Sequence, residues 1–216
     1  MMPTENGKAS MRVIGITGGV GAGKTSVLRI LERESSCRTI VADEAAKRLQ
    51  EPGQSCFNEL VSAFGKGILD DEGRIDRAKL ARLIFEDEKA REKVNAIIHP
   101  AVNRYITDVI NEEKEKAEIE FLFIEAALLI ECGYDRICDE LWYIYASEAS
   151  RRKRLKESRG YSNEKISAMF ASQLSEDDFK RHCSRIIDND MDEERVVRQI
   201  RQLLDEKRRK SGFGKC

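Results

Sequence analysis

The run Gly18-Gly-Val-Gly-Ala-Gly-Lys-Thr25 constrains this chain more than any other segment. It fits the spacing GxxxxGK[ST], and its flanks fit as well. Met11-Arg-Val-Ile-Gly-Ile-Thr17 reads as a short β-strand, and Val27, Leu28, Ile30 and Leu31 have the spacing of a buried helical face. Strand, glycine loop and helix in that order make an anion cradle, because glycines let successive N–H groups curl round a phosphate chain and the helix turns its positive end toward it. Lys24 is placed to neutralise β- and γ-oxygens and the Thr25 hydroxyl to hold Mg²⁺. The competing reading, a glycine turn that only packs a helix on a strand, is set aside because strand, loop and helix context all agree. A nucleotide site comprising Gly18, Gly19, Gly21, Ala22, Gly23, Lys24, Thr25 and Ser26 is expected.

Further apolar runs at Thr39-Ile-Val-Ala42, Ile119-Glu-Phe-Leu-Phe-Ile124, Leu141-Trp-Tyr-Ile-Tyr145 and Arg185-Ile-Ile187 bring the expected strands to five. Helical patterns separate them, which predicts an α/β fold with a parallel sheet covered on both faces. The interval 45–118 is helical in pattern and too long for a simple crossover, so it is expected to be an inserted helical subdomain. Its punctuation is Glu51-Pro-Gly53, Gly65 and Gly67, Asp70-Asp-Glu-Gly73 and His99-Pro100, each read as a turn or helix boundary. A last amphipathic helix is expected over 192–210, with Val196, Val197, Ile200, Leu203 and Leu204 as its apolar stripe.

The 38 Lys and Arg against 39 Asp and Glu leave a net charge of −1, so no overall pull toward nucleic acid or anionic membrane exists and any anion site is local. The most apolar stretch, 119–130, carries Glu120 and Glu125 and is shorter than the roughly 20 residues of a membrane span. Residues 1–10 hold Glu5, Asn6 and Lys8 where an export signal is apolar, so the expected location is the cytoplasm. Six scattered cysteines without a CxxC pair, and only His99 and His182 beside them, predict reduced thiols rather than a zinc site. No NKxD guanine signature is present, and 216 residues leave no room for a motor module beside the insertion, which favours a small-molecule kinase.

Beyond the glycine loop the candidates are charged side chains. Asp43, after the second strand, is read both as the base that takes the proton of an acceptor hydroxyl and as an N-cap of a helix over 44–50. Glu125, after the third strand, is placed to orient Mg²⁺ or a nearby cation; Glu131 follows about a helical turn later. Arg151, Arg152, Lys153, Arg154, Lys156 and Arg159, followed by Gly160-Tyr-Ser162, read as a mobile basic lid over the transferring group. Within it Arg154 and Arg159 are the functional candidates, and Arg152, Lys153 and Lys156 a solvated face. His99 is either an acceptor contact or structural.

Taken in order, Gly15-Ile-Thr-Gly-Gly-Val-Gly-Ala-Gly-Lys-Thr25, Ala42-Asp43, Glu51-Pro-Gly53, Ile98-His-Pro100, Leu128-Leu-Ile-Glu131, Arg154 with Arg159-Gly-Tyr-Ser162, Gln173 and Ile187-Asp-Asn189 resemble the dephospho-coenzyme A kinases from about Arg12 to Leu204. The resemblance implies transfer of the ATP γ-phosphate to the 3′-hydroxyl of the dephospho-coenzyme A ribose, with Mg²⁺, by a monomer related to adenylate kinase. It implies a P-loop NTPase fold, with a five-stranded parallel sheet flanked by helices, a helical coenzyme A-binding insertion and a lid. The kinase domain is 11–204: core 11–44, 119–150 and 184–204, insertion 45–118, lid 151–183, with flexible ends at 1–10 and 211–216. By position Asp43 is the catalytic carboxylate, Lys24 the phosphate lysine and Arg154 the lid arginine. Arg159 and Asn189 fall on the ATP side, Lys47, His99 and Glu131 on the acceptor side, and Thr25 and Glu125 on the metal.

The departures from the family pattern are Val41 for the first Asp of Asp-Ala-Asp, Lys47 where Arg is usual, and Glu125 and Ala127 for the Asp and Pro of Asp-x-Pro-Leu-Leu. Arg159 stands one place beyond the commonest lid spacing. Lysine at 47 lacks the guanidinium fork, which bears on acceptor affinity rather than on the reaction. The rival readings are another small kinase, acting on a nucleoside monophosphate or a sugar, and an ATP-dependent switch that binds a partner through the insertion.

Overall fold

The computed structural model describes residues 10–211. In chain order the elements are β1 (Arg12–Thr17), α1 (Lys24–Glu34), β2 (Cys37–Val41), α2 (Ala42–Leu49), α3 (Ser55–Phe64), α4 (Arg77–Glu86), α5 (Glu88–Lys116), β3 (Phe121–Glu125), β4 (Glu140–Tyr145), α6 (Glu148–Arg159), α7 (Asn163–Ala171), α8 (Glu176–His182), β5 (Arg185–Asp188) and α9 (Glu193–Ser211). The expected flexible ends fall outside the described residues except for Ser10 and Ser211, the latter being the last residue of α9.

The described residues divide into two compact units, one of residues 10–40 and 110–211, the other Val41–Val109. The first carries the sheet, ordered β2-β3-β1-β4-β5, with β1 parallel to β3 and β4, and β4 parallel to β5. Every residue of β3 is buried, as a strand covered on both faces requires. Ile14, Ile16, Phe121, Phe123, Trp142 and Ile144 form the centre of this core, each burial favouring the fold by roughly 1.5–3 kcal/mol. Phe123 joins the rings of Phe121 and Trp142, at centroid distances of 5.7 and 5.9 Å. Val27, Leu28, Ile30 and Leu31 of α1 and Val196, Ile200 and Leu204 of α9 bury the stripes read from the sequence.

The second unit packs α3, α4 and part of α5 around Cys56, Leu60, Ile68, Leu80 and Val94. Asp76 caps α4, its Oδ1 accepting from the Ala78 and Lys79 N–H groups at 2.9 and 3.1 Å. The turn before it is closed by Asp70, whose Oδ1 accepts from the N–H groups of Glu72 and Arg74.

Two expectations need correction. His99-Pro100 is no boundary: α5 runs through Pro100 for 29 residues. Proline forfeits one helical hydrogen bond there, but Ala90 and Val94 before it and Val102, Ile106, Val109 and Ile110 after it are all buried, so packing holds both halves in one helix. The second strand ends at Val41, and α2 starts at Ala42 instead of Glu44. The compact unit of this helical stretch is Val41–Val109, and α5 runs on to Lys116.

The five described cysteines are free thiols. Burial pushes Cys138 and Cys183 up to about 12, and raises Cys37 and Cys56 as well. Among the described residues no helix is long and apolar enough to cross a membrane.

Candidate active site

The glycine loop leaves β1 at Thr17 and enters α1 at Lys24. Gly18 has φ +149° and would set a Cβ 2.5 Å from the Ile144 carbonyl oxygen, so no other residue fits between β1 and β4. Gly23, in the left-handed region at φ +89°, caps α1 without a side-chain hydrogen bond. The first N–H groups of α1 are thus left to an anion rather than to a capping side chain. Lys24 Nζ donates to the Gly18 carbonyl at 2.9 Å and pairs with Glu125 Oε1 at 3.6 Å. Both side chains are nearly buried, and register explains their meeting, since Glu125 is opposite Ile16 at the carboxyl end of β3. Thr25 is exposed in the first turn of α1.

The loop is also held on its outer side. Arg154 Nη1 donates to the carbonyls of Ala22 at 3.1 Å and Gly21 at 3.4 Å, and its Nη2 to the Asn189 carbonyl at 2.6 Å. Asn189 Nδ2 donates to the same Ala22 carbonyl at 2.7 Å. Sequence reasoning picked both residues, and the structure brings them to one peptide group. It passed over Arg151, whose Nε donates to the Val20 carbonyl at 2.9 Å. Helical phase contained the signal: Leu155 is the buried residue of α6, and Arg151 is one turn before it on the same side.

Arg159 is exposed, its guanidinium 6.0 Å from the Tyr161 ring centroid, and the loop contacts of α6 are made by Arg151 and Arg154 instead. The Arg159 bond to Tyr161, with the charge of Lys165 nearby, holds the Tyr161 phenol below its usual range. The expected solvated face is only partly so. Lys153 and Lys156 are exposed, whereas Arg152 pairs with Glu148 at 2.7 Å and donates to Ser167 Oγ at 3.2 Å, tying α6 to α7.

Beside the loop is a cavity of about 420 Å³ whose lining includes Gly23, Ser26, Arg154, Asn189, Met191 and Val196. In the helical unit, Asp43 is exposed in the first turn of α2. The N-cap is Val41 and no side-chain cap bond forms, so the capping alternative for Asp43 falls. Lys47, one turn on, lines a cavity of about 520 Å³ with Asp70, Arg74, Asp76 and Arg77. His99 is half-buried within α5, and Glu131 is exposed in a turn after β3 rather than on a helix.

The family model for dephospho-CoA kinase matches residues 12–194. A dephospho-CoA kinase of Symbiobacterium thermophilum is 36% identical over 179 residues, covering 83% of this chain and 74% of that protein. One from Geobacter sulfurreducens is 35% identical over 193 residues, covering 89% and 97%. A solved Thermus thermophilus structure superposes with a TM-score of 0.77 at 28% identity, over 91% of this chain and 98% of that one. A shikimate kinase of Acinetobacter baumannii, at 14% identity and a TM-score of 0.50 over 92% and 95%, shares the fold alone. Glycine loop, sheet order and this run of relatives agree: the chain belongs to the dephospho-CoA kinase family.

Proposed function

We infer a division of labour among these residues for the activity of the family, the ATP-dependent phosphorylation of dephospho-coenzyme A to coenzyme A. The observation that carries it is the Lys24–Glu125 pair set against a loop whose helix end is free of side-chain caps. The triphosphate lies along Gly18–Thr25, with Lys24 on its β- and γ-oxygens. The adenosine occupies the 420 Å³ cavity, its base against Met191, Val196 and Asn189. Thr25 and Glu125 are hard oxygen donors at the mouth of the loop and suit Mg²⁺, which when bound shields the phosphate charge. Arg154, and Arg159 by the family motif, serve the donor side.

On the acceptor side the 3′-oxygen attacks the γ-phosphorus. The new P–O bond forms as the bond to the β–γ bridging oxygen breaks, ADP leaves, and Asp43 takes the hydroxyl proton. Lys47 lies one turn from Asp43, about 6 Å along α2, which matches the span from a ribose 3′-oxygen to its 5′-phosphate. The acceptor's diphosphate is therefore assigned to Lys47 and Arg77 in the 520 Å³ cavity; the carboxylates there are occupied, Asp70 by its own turn and Asp76 by the end of α4. His99 and Glu131 complete the acceptor set on the strength of the family motifs. Within this reading the chain acts as a cytoplasmic monomer, with no nucleic-acid or membrane partner.

The test is Mg²⁺-dependent ADP release with dephospho-coenzyme A beside AMP, other nucleoside monophosphates, gluconate and shikimate. Selective stimulation by dephospho-coenzyme A is expected. An inert response to it, with another acceptor used, removes the acceptor assignment, and ATP binding without any acceptor-stimulated turnover favours the switch.

A further inference from the structure

Val20, at the crest of the phosphate-binding loop, has both of its peptide polar groups taken by side chains distant in sequence. Its N–H donates to Gln173 Oε1 at 3.1 Å, and its carbonyl accepts from Arg151 Nε at 2.9 Å. Arg151 Nη2 donates to that same Gln173 oxygen at 2.9 Å, which closes a ring of three hydrogen bonds. The guanidinium carbon lies 4.2 Å from the Phe170 ring centroid, and a Cβ on Gly19 would fall onto the guanidinium. Glycine at 19 is what admits the arginine to the loop. Burial makes the charge of Arg151 harder to hold, and the carbonyl, amide oxygen and ring face offset that cost.

The Gly19–Val20 peptide is held through its N–H and the Val20–Gly21 peptide through its C=O, so neither of these successive planes can flip without breaking its bond, and a phosphate cradle works only while its N–H groups point one way. Arg154 and Asn189 apply the same constraint one step further on, at the Ala22 carbonyl. Gln173 follows α7 and Arg151 belongs to α6, so the segment read as a swinging lid is bonded to the loop by its own side chains.

We propose that Arg151 and Gln173 are positioning residues that preset the glycine loop for the phosphate chain, and that the segment from α6 to α8 is a clasp on that loop rather than a freely moving lid. The proposal rests on the reading that ATP binds this loop. Contacts to the non-transferring phosphates are shared by ground and transition states, so loosening them weakens ATP binding more than it slows the bound complex.

The experiment uses the full chain and four variants, Arg151→Gln, Arg151→Lys, Gln173→Leu and Gln173→Glu, with ATP titrated calorimetrically in the absence of acceptor. Arg151→Gln and Gln173→Leu are each expected to weaken ATP binding about tenfold, with a smaller loss of kcat at saturating ATP. Gln173→Glu keeps an acceptor oxygen for both Val20 and Arg151 and is expected to bind ATP within about threefold of wild type, and Arg151→Lys, which restores one of two bonds, to fall between. The double variant Arg151→Gln with Gln173→Leu is expected to cost little more than either single change, because either one opens the ring.

Wild-type ATP affinity in Arg151→Gln and Gln173→Leu, strictly additive losses, or an equal loss in Gln173→Glu would overturn the clasp. Hydrogen exchange of the loop amides in nucleotide-free protein separates this from failure of the nucleotide reading. If wild type binds no ATP, that reading falls, and the clasp still predicts faster loop exchange, relative to β1, in Arg151→Gln. Unchanged loop exchange overturns it.

Discussion

Around the glycine loop, side chains from three distant segments, Arg151 and Arg154, Gln173, and Asn189, hydrogen-bond to loop peptide groups. On α2, Asp43 and Lys47 are exposed, and their side chains make none of the hydrogen bonds or ion pairs found among the described residues. The donor side has its geometry built into the fold, so ATP meets groups already ordered. On the proposed assignment, Asp43 and Lys47 on the acceptor side are exposed and await the acceptor for their partners. Changes on the donor side should therefore register in nucleotide binding, except at Arg154, which the family pattern places over the transferring group, and changes on the acceptor side in acceptor KM or in chemistry alone.

The sharpest way to break this contrast is to truncate the central residue of each side. Lys24→Ala and Asp43→Ala are each expected to lower kcat/KM about 1,000-fold. Calorimetry should show weaker ATP binding in the lysine variant and wild-type binding in the aspartate variant. Near-normal turnover in Asp43→Ala would remove its assignment as base.

Arg154→Ala comes next, with an expected loss of about 100-fold in kcat/KM that falls mainly on kcat. Parallel losses in ATP affinity and kcat would make Arg154 a binding residue, like the clasp pair. A smaller effect is expected at the acceptor cavity, where Lys47→Ala and Arg77→Ala raise the KM for dephospho-coenzyme A about tenfold. Adenosine, an acceptor without the diphosphate, should react equally with wild type and both variants, and unequal rates would displace the diphosphate from this cavity. Lys47→Arg restores the fork usual in the family and should tighten the acceptor a few-fold.

The smallest effect tests the scaffold behind the donor side. Arg201 donates to both carboxylate oxygens of Glu34 at 2.7 and 3.2 Å, joining α1 to α9. That bond, opposed by partial desolvation and helped by Arg33, holds the Glu34 carboxyl below its usual range. Its contribution is present above the ordinary glutamate pKa and lost as pH falls through the lowered folded-state value. Glu34→Gln should flatten the acid limb of Tm against pH while moving Tm at neutral pH by only a degree or two.

Strand, loop and helix were legible because apolar runs and glycines speak for themselves locally, and the sheet followed from alternation. Pro100 misled because a proline is read against its neighbours in sequence, whereas Val94 and Val102 hold α5 through packing on both sides of it. Asp43 as a cap misled because the step from β2 into α2 takes no linker residue. Arg151 was hidden among five other cations, and only the helical phase set by Leu155 separates it from Lys153. The Gln173 bond to Val20 spans 153 positions, which no local pattern reports.

Dephospho-coenzyme A and its product each carry a free thiol at the end of the pantetheine arm, and oxidation turns such thiols into disulfides. Attack on a disulfide needs a thiolate. The thiols of Cys37, Cys56, Cys138 and Cys183, all pushed upward by burial, supply almost none at neutral pH. At these positions burial slows the enzyme's own thiols toward the sulfur of its substrate, and so disfavours mixed disulfides with an oxidised coenzyme pool.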